Sequence, residues 1–117
     1  MPLLMIETNQ NSSDEHKTLF LKRLSESTAS ALGKPERYVM VGFRHNPNML
    51  FAGTNDPLAY LELKSIGLPA DRTGDLSATL SSIISEELDV APDRIYIEFA
   101  NAERHMWGWS GGTFAQS

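Results

Sequence analysis

The spacing of apolar residues divides the first third of the chain into a strand and a helix. Leu3–Thr8 alternates loosely between apolar and polar residues, which predicts a strand. From Asp14–Leu32 the apolar residues recur at helical spacing, and Gly33 supplies the stop signal for this helix. Ser12 followed three residues later by Glu15 fits a capping box, so we expect the helix to begin after Ser12.

The rest of the chain shows strand patterns on both sides of a second helix. Residues 38–43 are rich in β-forming side chains and predict a strand, and residues 49–52 predict a short one. Residues 59–65 alternate more cleanly and predict a further strand, as do residues 95–99. Between these last two, apolar residues form the stripe of an amphipathic helix: Leu76, Leu80, Ile83, Ile84 and Leu88.

Two parts of the sequence repeat each other at an offset of 57 residues. The stretch Lys-Pro-Glu-Arg-Tyr-Val at 34–39 parallels Ala-Pro-Asp-Arg-Ile-Tyr at 91–96, and the same offset carries the first strand onto the strand at 59–65. We therefore predict one domain over residues 1–117, with a duplicated βαβ unit in halves of about 2–57 and 58–117.

The expected fold class is α+β, with a four-stranded mixed sheet and both helices on one face. Because the strands carry apolar residues on both sides, we expect the other face to be covered by oligomerisation.

Composition restricts the function classes. The 117 residues include 41% hydrophobic and 21% charged residues, which is typical of a soluble globular domain. The net charge of −5 argues against nucleic-acid or anionic-membrane partners, and the absence of cysteine excludes disulfide, thiol and cysteine–zinc chemistry. No targeting signal or membrane-length apolar run is evident, so we expect a cytoplasmic protein, or one secreted without a signal peptide.

Known motifs for metals and cofactors are missing from the sequence. The three histidines, His16, His45 and His105, do not have the spacing of metal ligands. There is no phosphate-binding glycine loop and no nucleophile elbow. We therefore expect neither a metal nor a cofactor.

Pro2 follows the initiator methionine, which aminopeptidases generally remove before a small residue. Removal of Met1 would leave a secondary amine at the chain end, and an ordinary α-amino group has a pKa of about 7.7–8.0. Burial and a nearby cation would lower that pKa, and a neutral amine at pH 7 could remove a proton from a carbon next to a carbonyl. If Met1 is retained, the Pro2 nitrogen is a non-basic amide. The alternative is that Pro2 merely starts a strand.

Lys34 and the C-terminal aromatics also admit two interpretations each. Lys34 follows a helix end, where a lysine is either a solvated cation or an electrophile that holds a substrate carboxylate or enolate. Trp107, Trp109 and Phe114 are either core and interface aromatics or the lining of a pocket for an aromatic substrate.

Taken together, these motifs resemble the macrophage migration inhibitory factor family of the tautomerase superfamily. The matching parts are the Met1-Pro2 start and residues 32–38, 64–67, 92–97 and 108–114, in the family's order and spacing. The resemblance covers essentially the whole chain.

The resemblance implies a homotrimer with a central channel and a pocket at each subunit interface. It implies a cofactor-free keto–enol tautomerase, an isomerase of the intramolecular oxidoreductase type, with phenylpyruvate and dopachrome-type compounds as substrates. Pro2 matches the catalytic base. Tyr96 matches a pocket residue that comes from a neighbouring subunit. The substrate-binding residues that the resemblance implies are Lys34, Tyr38, Ser65, Ile66 through its backbone, Tyr96, Glu98, Trp109 and Phe114.

Three departures from the animal members affect these expectations. Glu98 stands where those members have Asn, and a carboxylate there would repel an anionic substrate or raise the pKa of Pro2. The paired cysteines that are linked to thiol–disulfide activity in those members are absent. Residues 57–60, Pro-Leu-Ala-Tyr, stand in their region, so that activity cannot carry over to this chain. Trp107 adds bulk at the pocket rim and would narrow the substrate range.

Other functions remain open at the level of sequence. The same proline and lysine could serve another reaction of the superfamily, such as isomerisation of an unsaturated diacid. The chain could also be a cytokine-like signalling protein that binds a host receptor and retains a vestigial pocket. The expected partners are other copies of the chain in a homotrimer and a small aromatic 2-keto acid, with no nucleic acid and no membrane.

Overall fold

A computed structural model describes residues 1–116 of the chain. Four longer strands and two helices form most of it: β1 (Leu3–Thr8), α1 (Asp14–Leu32), β2 (Met40–His45), β3 (Ala59–Ile66), α2 (Thr73–Leu88) and β4 (Ile95–Ala102). Near the C-terminus, β5 (Gly108–Trp109) and β6 (Gly112–Thr113) form a small antiparallel hairpin. Neither helix has the length and apolar character needed to cross a membrane, over the residues that the structure describes.

The four longer strands form one mixed sheet in the order β2-β1-β3-β4. β1 pairs parallel with β2 and β3 parallel with β4, while β1 and β3 pair antiparallel at the centre. Each half of the chain therefore contributes strand, helix and parallel strand, as the repeat in the sequence predicts. The predicted α+β class and four-stranded mixed sheet are confirmed.

Both ends of α1 follow from local side-chain and backbone chemistry. The Ser13 hydroxyl accepts a hydrogen bond from the backbone N–H of His16 at 3.2 Å, so Ser13 caps the helix. The predicted cap at Ser12 was wrong by one residue, because the Ser12 hydroxyl contacts the His16 ring at Nδ1, 2.8 Å away. Gly33 ends the helix at a φ of +64°, a left-handed conformation that glycine adopts without steric cost.

The main core lies between the helices and one face of the sheet. Leu4 and Ile6 of β1 and Leu61 and Leu63 of β3 are almost completely buried. They pack with the apolar stripes of both helices, including Phe20, Leu24, Leu76, Leu80, Ile83, Ile84 and Leu88. Burial of these side chains is the main source of stability for the sheet and helix layers.

The open face of the sheet is more polar than expected from the sequence. The Tyr60 hydroxyl lies 3.2 Å from Glu62 Oε1 and 3.5 Å from Glu98 Oε2, and Lys64 pairs with Glu62 at 3.4 Å. Two effects raise the pKa of Tyr60: the larger is its partial burial, and the next is its hydrogen bond to Glu62. The expectation that both faces are apolar holds only in part: Leu3, Met5 and Met40 are apolar positions of this face, whereas the β3 positions Tyr60, Glu62 and Lys64 are polar.

Two predicted strands differ from those observed. β2 begins at Met40 and not at residue 38, because Glu36–Tyr38 forms a 3₁₀ turn. The strand predicted at 49–52 is reduced to a single antiparallel bridge between Phe51 and Thr54. There the chain reverses through Ala52, whose φ of +54° does not fit a strand.

Candidate active site

A cleft of about 300 Å³ opens at the N-terminal end of β1. Three segments meet there: the start of β1, the turn that leads into β2, and the C-terminal hairpin. The lining residues are Met1, Pro2, Leu3, Arg37, Tyr38, Val39, Met40, Trp107, Gly108, Trp109 and Phe114.

Backbone hydrogen bonds hold the three segments together. The N–H of Met40 donates to the carbonyl of Pro2 at 3.0 Å, which fixes the turn before β2 against the N-terminus. The N–H of Phe114 donates to the Trp107 carbonyl at 3.2 Å, and Arg104 Nε donates to the Phe114 carbonyl at 3.1 Å. The C-terminal aromatic residues are therefore fixed next to the start of the chain.

An aromatic cluster forms one wall of the cleft. The Tyr38 ring packs edge-on against Trp109 and Phe114, with 5.7 Å between ring centroids in each pair. Trp109 and Phe114 stack on one another at 5.4 Å. Such edge and stacked pairs are favourable ring geometries. The structure thus brings together three of the residues that the sequence assigns to an aromatic wall.

The chain terminus lies inside this cleft. The Met1 ammonium donates a hydrogen bond to the Tyr38 carbonyl at 2.8 Å. Burial, and then the positive charge of Lys34, lower the pKa of this amino group. Pro2 is buried directly behind Met1, and its nitrogen is part of a peptide bond in the chain with Met1 present.

Lys34 lies close to the terminus but is not among the side chains that line the cleft. It follows Gly33 at the end of α1, and its backbone N–H donates to the Ala29 carbonyl at 3.0 Å. Its ammonium group makes no ion pair with the part of the chain that the structure describes. A partly buried cation without a carboxylate partner is chemically suited to an anion.

The antiparallel register of the sheet brings the end of β3 towards Pro2. Leu3 pairs with Lys64, so Ser65 and Ile66 lie just beyond Leu3, on the side of the N-terminus. Both residues are buried, and the Ser65 hydroxyl lies 3.4 Å from the Ile66 carbonyl oxygen.

Tyr96 and Glu98 lie away from the cleft of their own chain. They occupy β4, where they pair with Tyr60 and Glu62. The Tyr96 ring is 65% exposed and packs against Phe51 with 4.7 Å between centroids. It borders a separate groove of about 340 Å³, whose apolar lining includes Met49, Leu50, Phe51, Leu58 and Ala59.

Arg94 fixes the loop that carries this apolar groove. Its guanidinium donates to the carbonyls of Pro57 at 2.9 Å, Asp56 at 3.0 Å and Phe51 at 3.1 Å. It also lies over the Phe51 ring, 5.2 Å from the centroid. Arg94 therefore sets the position of the ring against which Tyr96 packs.

Two further side chains border the cleft, Trp107 and Arg37. Trp107 borders the Pro2 cleft and also a neighbouring groove near Lys64 and Met106, consistent with a rim position. Arg37 was missed by the sequence reasoning, although its side chain lines the cleft and lies 4.9 Å from the Tyr38 ring centroid. The sequence signal that could have identified Arg37 is its position directly before Tyr38, which the resemblance assigns to the aromatic wall.

Comparison with known proteins finds relatives over nearly the whole chain. The family model "Macrophage migration inhibitory factor (MIF)" matches residues 1–115. Macrophage migration inhibitory factor of Mus musculus is 35% identical over 116 residues, which cover 98% of this chain and 100% of the relative. The homolog from Brugia malayi is 38% identical over 117 residues, covering 97% of this chain and 99% of the relative.

Solved structures agree with this relationship. The homologue from Prochlorococcus marinus has a TM-score of 0.89 and 37% identity, covering 96% of this chain and 98% of that one. The protein from Toxoplasma gondii has a TM-score of 0.89 and 32% identity, covering 95% and 98% of the two chains.

Proposed function

Because the chain belongs to the macrophage migration inhibitory factor family of the tautomerase superfamily, we propose that it is a cofactor-free keto–enol tautomerase. Its substrates are aromatic 2-keto acids such as phenylpyruvate, and dopachrome-type compounds. The observation that carries this proposal is the position of Pro2, which lies buried at the base of an aromatic cleft beside the chain terminus.

The proposed base is the Pro2 amine after removal of Met1. The surroundings that lower the pKa of the Met1 amino group, namely burial and the charge of Lys34, also favour a neutral amine at Pro2. The neutral nitrogen takes a proton from the carbon next to the substrate carbonyl. The C–H bond breaks, its electron pair forms the C=C bond of the enol, and the π pair of the carbonyl moves to its oxygen, which takes a proton from water. The protonated Pro2 amine then returns its proton to water, so no net proton is gained or lost. The reverse sequence converts the enol to the ketone.

The other residues hold the substrate in position. Lys34 and the Ile66 backbone contact the carboxylate and carbonyl end, and Ser65 lies beside them. The rings of Tyr38, Trp109 and Phe114 pack against the aromatic part, which an apolar wall of this kind binds well.

The active assembly in this proposal is a homotrimer. Tyr96 and Glu98 of one subunit reach the Pro2 cleft of a neighbour, as the family resemblance implies, and neither lines the cleft of its own chain. The exposed, apolar Tyr96–Leu50 groove supports a subunit contact. The polar open face of the sheet suits the wall of a water-filled central channel better than a dry interface. The place of action is the cytoplasm, or the outside of the cell after secretion without a signal peptide.

Turnover of phenylpyruvate tests the proposal directly. Protein that begins at Pro2 should catalyse conversion between the keto and enol forms, measured by the loss of enol absorbance. The same chain with Met1 retained serves as the matched control and should be inactive. Equal rates for the two preparations, or no catalysis by the Met-free protein, would overturn the proposal.

A further inference from the structure

We propose that Arg37 binds a second anionic group of the substrate. On this view, the cleft favours aromatic 2-keto acids that carry a further carboxylate on the ring. The inference rests on the proposed function in one respect, because that function places the keto-acid carboxylate of the substrate near Lys34. The position of Arg37 in the cleft is independent of that function.

The structure holds the Arg37 guanidinium in a defined place. Its Cζ lies 4.9 Å from the Tyr38 ring centroid, in a cation–π arrangement at the cleft wall. The Tyr38 ring is in turn held edge-on by Trp109 and Phe114. Since the guanidinium rests on a fixed ring, less side-chain freedom is lost when it binds a ligand.

No carboxylate among the described residues neutralises the positive charge of Arg37. Among the side chains that line the cleft in the described residues, Arg37 carries the only charge. It forms no ion pair within residues 1–116, and the adjacent Glu36 lines a different groove together with Lys22. No carboxylate among the cleft-lining side chains of the described residues therefore competes with a ligand for the Arg37 guanidinium.

The two cations near the cleft suit the two ends of one ligand. Lys34 lies near the chain terminus, where the proposed reaction takes place. Arg37 lies on the aromatic wall, within the 3₁₀ turn Glu36–Tyr38. A substrate with its keto acid at Pro2 and its ring along Tyr38 would place a ring carboxylate near Arg37. A planar guanidinium binds a carboxylate through two parallel hydrogen bonds.

Binding of two unreactive analogues tests this inference without turnover. The probes are 3-phenylpropionate, which has one carboxylate, and 3-(4-carboxyphenyl)propionate, which has two. Quenching of Trp107 and Trp109 fluorescence reports on the cleft directly. For protein that begins at Pro2, we expect the two-carboxylate probe to bind about fivefold tighter, the size of one exposed ion pair. The preference should shrink as salt is added.

Three variants separate charge from packing. Arg37→Gln should bring the ratio of the two affinities close to one, and Arg37→Lys should retain part of the preference. Arg72→Gln removes an exposed arginine outside the cleft, so it should leave the ratio unchanged.

Several results would overturn the inference. One is an affinity ratio near one in the parent protein. The second is an equal loss of affinity for both probes in Arg37→Gln, and the third is that neither probe binds. The second result would show that Arg37 only supports the Tyr38 ring. Failure of the proposed function is seen separately, as absence of phenylpyruvate turnover, and does not affect the ratio measured here.

Discussion

The Met1 ammonium and the Tyr38 carbonyl are joined by a 2.8 Å hydrogen bond inside the candidate active site. The contact ties the start of the chain to the aromatic cluster formed with Trp109 and Phe114. With Met1 present, this residue occupies the cleft and the Pro2 nitrogen is an amide, whereas the proposed function requires an amine. Loss of Met1 would open the cleft and create the amine in the same surroundings.

The first prediction concerns the pH dependence of the Met-free protein. The amine acts when neutral, so kcat/KM should rise with pH through the amine pKa and then level off. Since burial and Lys34 lower the pKa of the terminal amino group, the midpoint should lie below the ordinary value of 8.0. Pro2→Gly keeps a primary amine and should retain partial activity.

Intact-mass spectrometry should accompany this pH profile. Active protein should lack Met1, and a Pro69→Gly variant, altered at a proline outside the cleft, should keep the parent profile. Full retention of Met1 in an active preparation would contradict the assignment of Pro2 as the base.

A second prediction concerns Glu98 and the neighbouring subunit. If Glu98 reaches the Pro2 cleft of a neighbour, its charge repels anionic substrates and raises the amine pKa. Glu98→Asn should therefore improve kcat/KM for phenylpyruvate and move the acidic limb of the pH profile downward by about one unit, or about 1.4 kcal/mol. The measurement is a pH–rate profile of the variant beside the parent.

Glu62→Gln is the matched control for Glu98→Asn. Both carboxylates lie on the open face of the sheet, and both are within reach of the Tyr60 hydroxyl, at 3.2 Å for Glu62 and 3.5 Å for Glu98. Only Glu98 is assigned to the cleft of a neighbour. If the Glu98→Asn profile overlays that of the parent, Glu98 is not coupled to Pro2.

Sequence patterning was sufficient for the framework of the fold but not for its irregular parts. The boundaries of β1 and α1 were predicted correctly because alternation, helical spacing and a terminal glycine all agree there. The predicted strand at 49–52 failed because its apolar residues serve the groove beside Tyr96 and not a sheet. Periodicity cannot distinguish a short apolar loop from a short strand.

The candidate site shows a similar limit. Pro2, Trp109 and Phe114 were candidates from the residues themselves, and the family resemblance added Tyr38; the fold brings all four together. Arg37 was missed, because a single arginine in a turn carries no periodic signal. Its place in the cleft follows from long-range pairing of β1 with β2, which one sequence does not reveal.

A third prediction concerns assembly. In the proposed homotrimer, the groove around Tyr96 lies at a subunit contact, so a charge at its exposed Leu50 should weaken association. We expect the parent to sediment at three times 13.0 kDa, and Leu50→Asp to shift it towards the monomer. Leu19→Asp is the control, since Leu19 is 60% exposed on α1, compared with 70% for Leu50. A parent protein that is monomeric at micromolar concentration, or equal effects of the two variants, would contradict the proposed interface.

The last prediction concerns the ion-pair network that joins the two helices. Arg23 of α1 binds Glu86 at 2.8 Å and Glu87 at 3.0 Å, both on α2, and Glu87 also contacts His16 at 2.9 Å. The hydrogen bond from Arg23 lowers the pKa of Glu86. A carboxyl group whose pKa is lower in the folded state contributes stability above its unfolded pKa, and this contribution disappears as pH falls through the folded value.

Arg23→Gln should therefore lower the urea midpoint of unfolding at pH 7, by a small amount because the pair is exposed. The difference from the parent should shrink as pH falls and Glu86 becomes protonated, because the lowered pKa of Glu86 then no longer stabilises the fold. Arg72→Gln, which removes an arginine that makes no ion pair with the described residues, should follow the parent at every pH. A difference between Arg23→Gln and the parent that is the same at pH 7 and pH 3 would show that Arg23 acts through packing of its side chain, because lost packing does not depend on the protonation of Glu86.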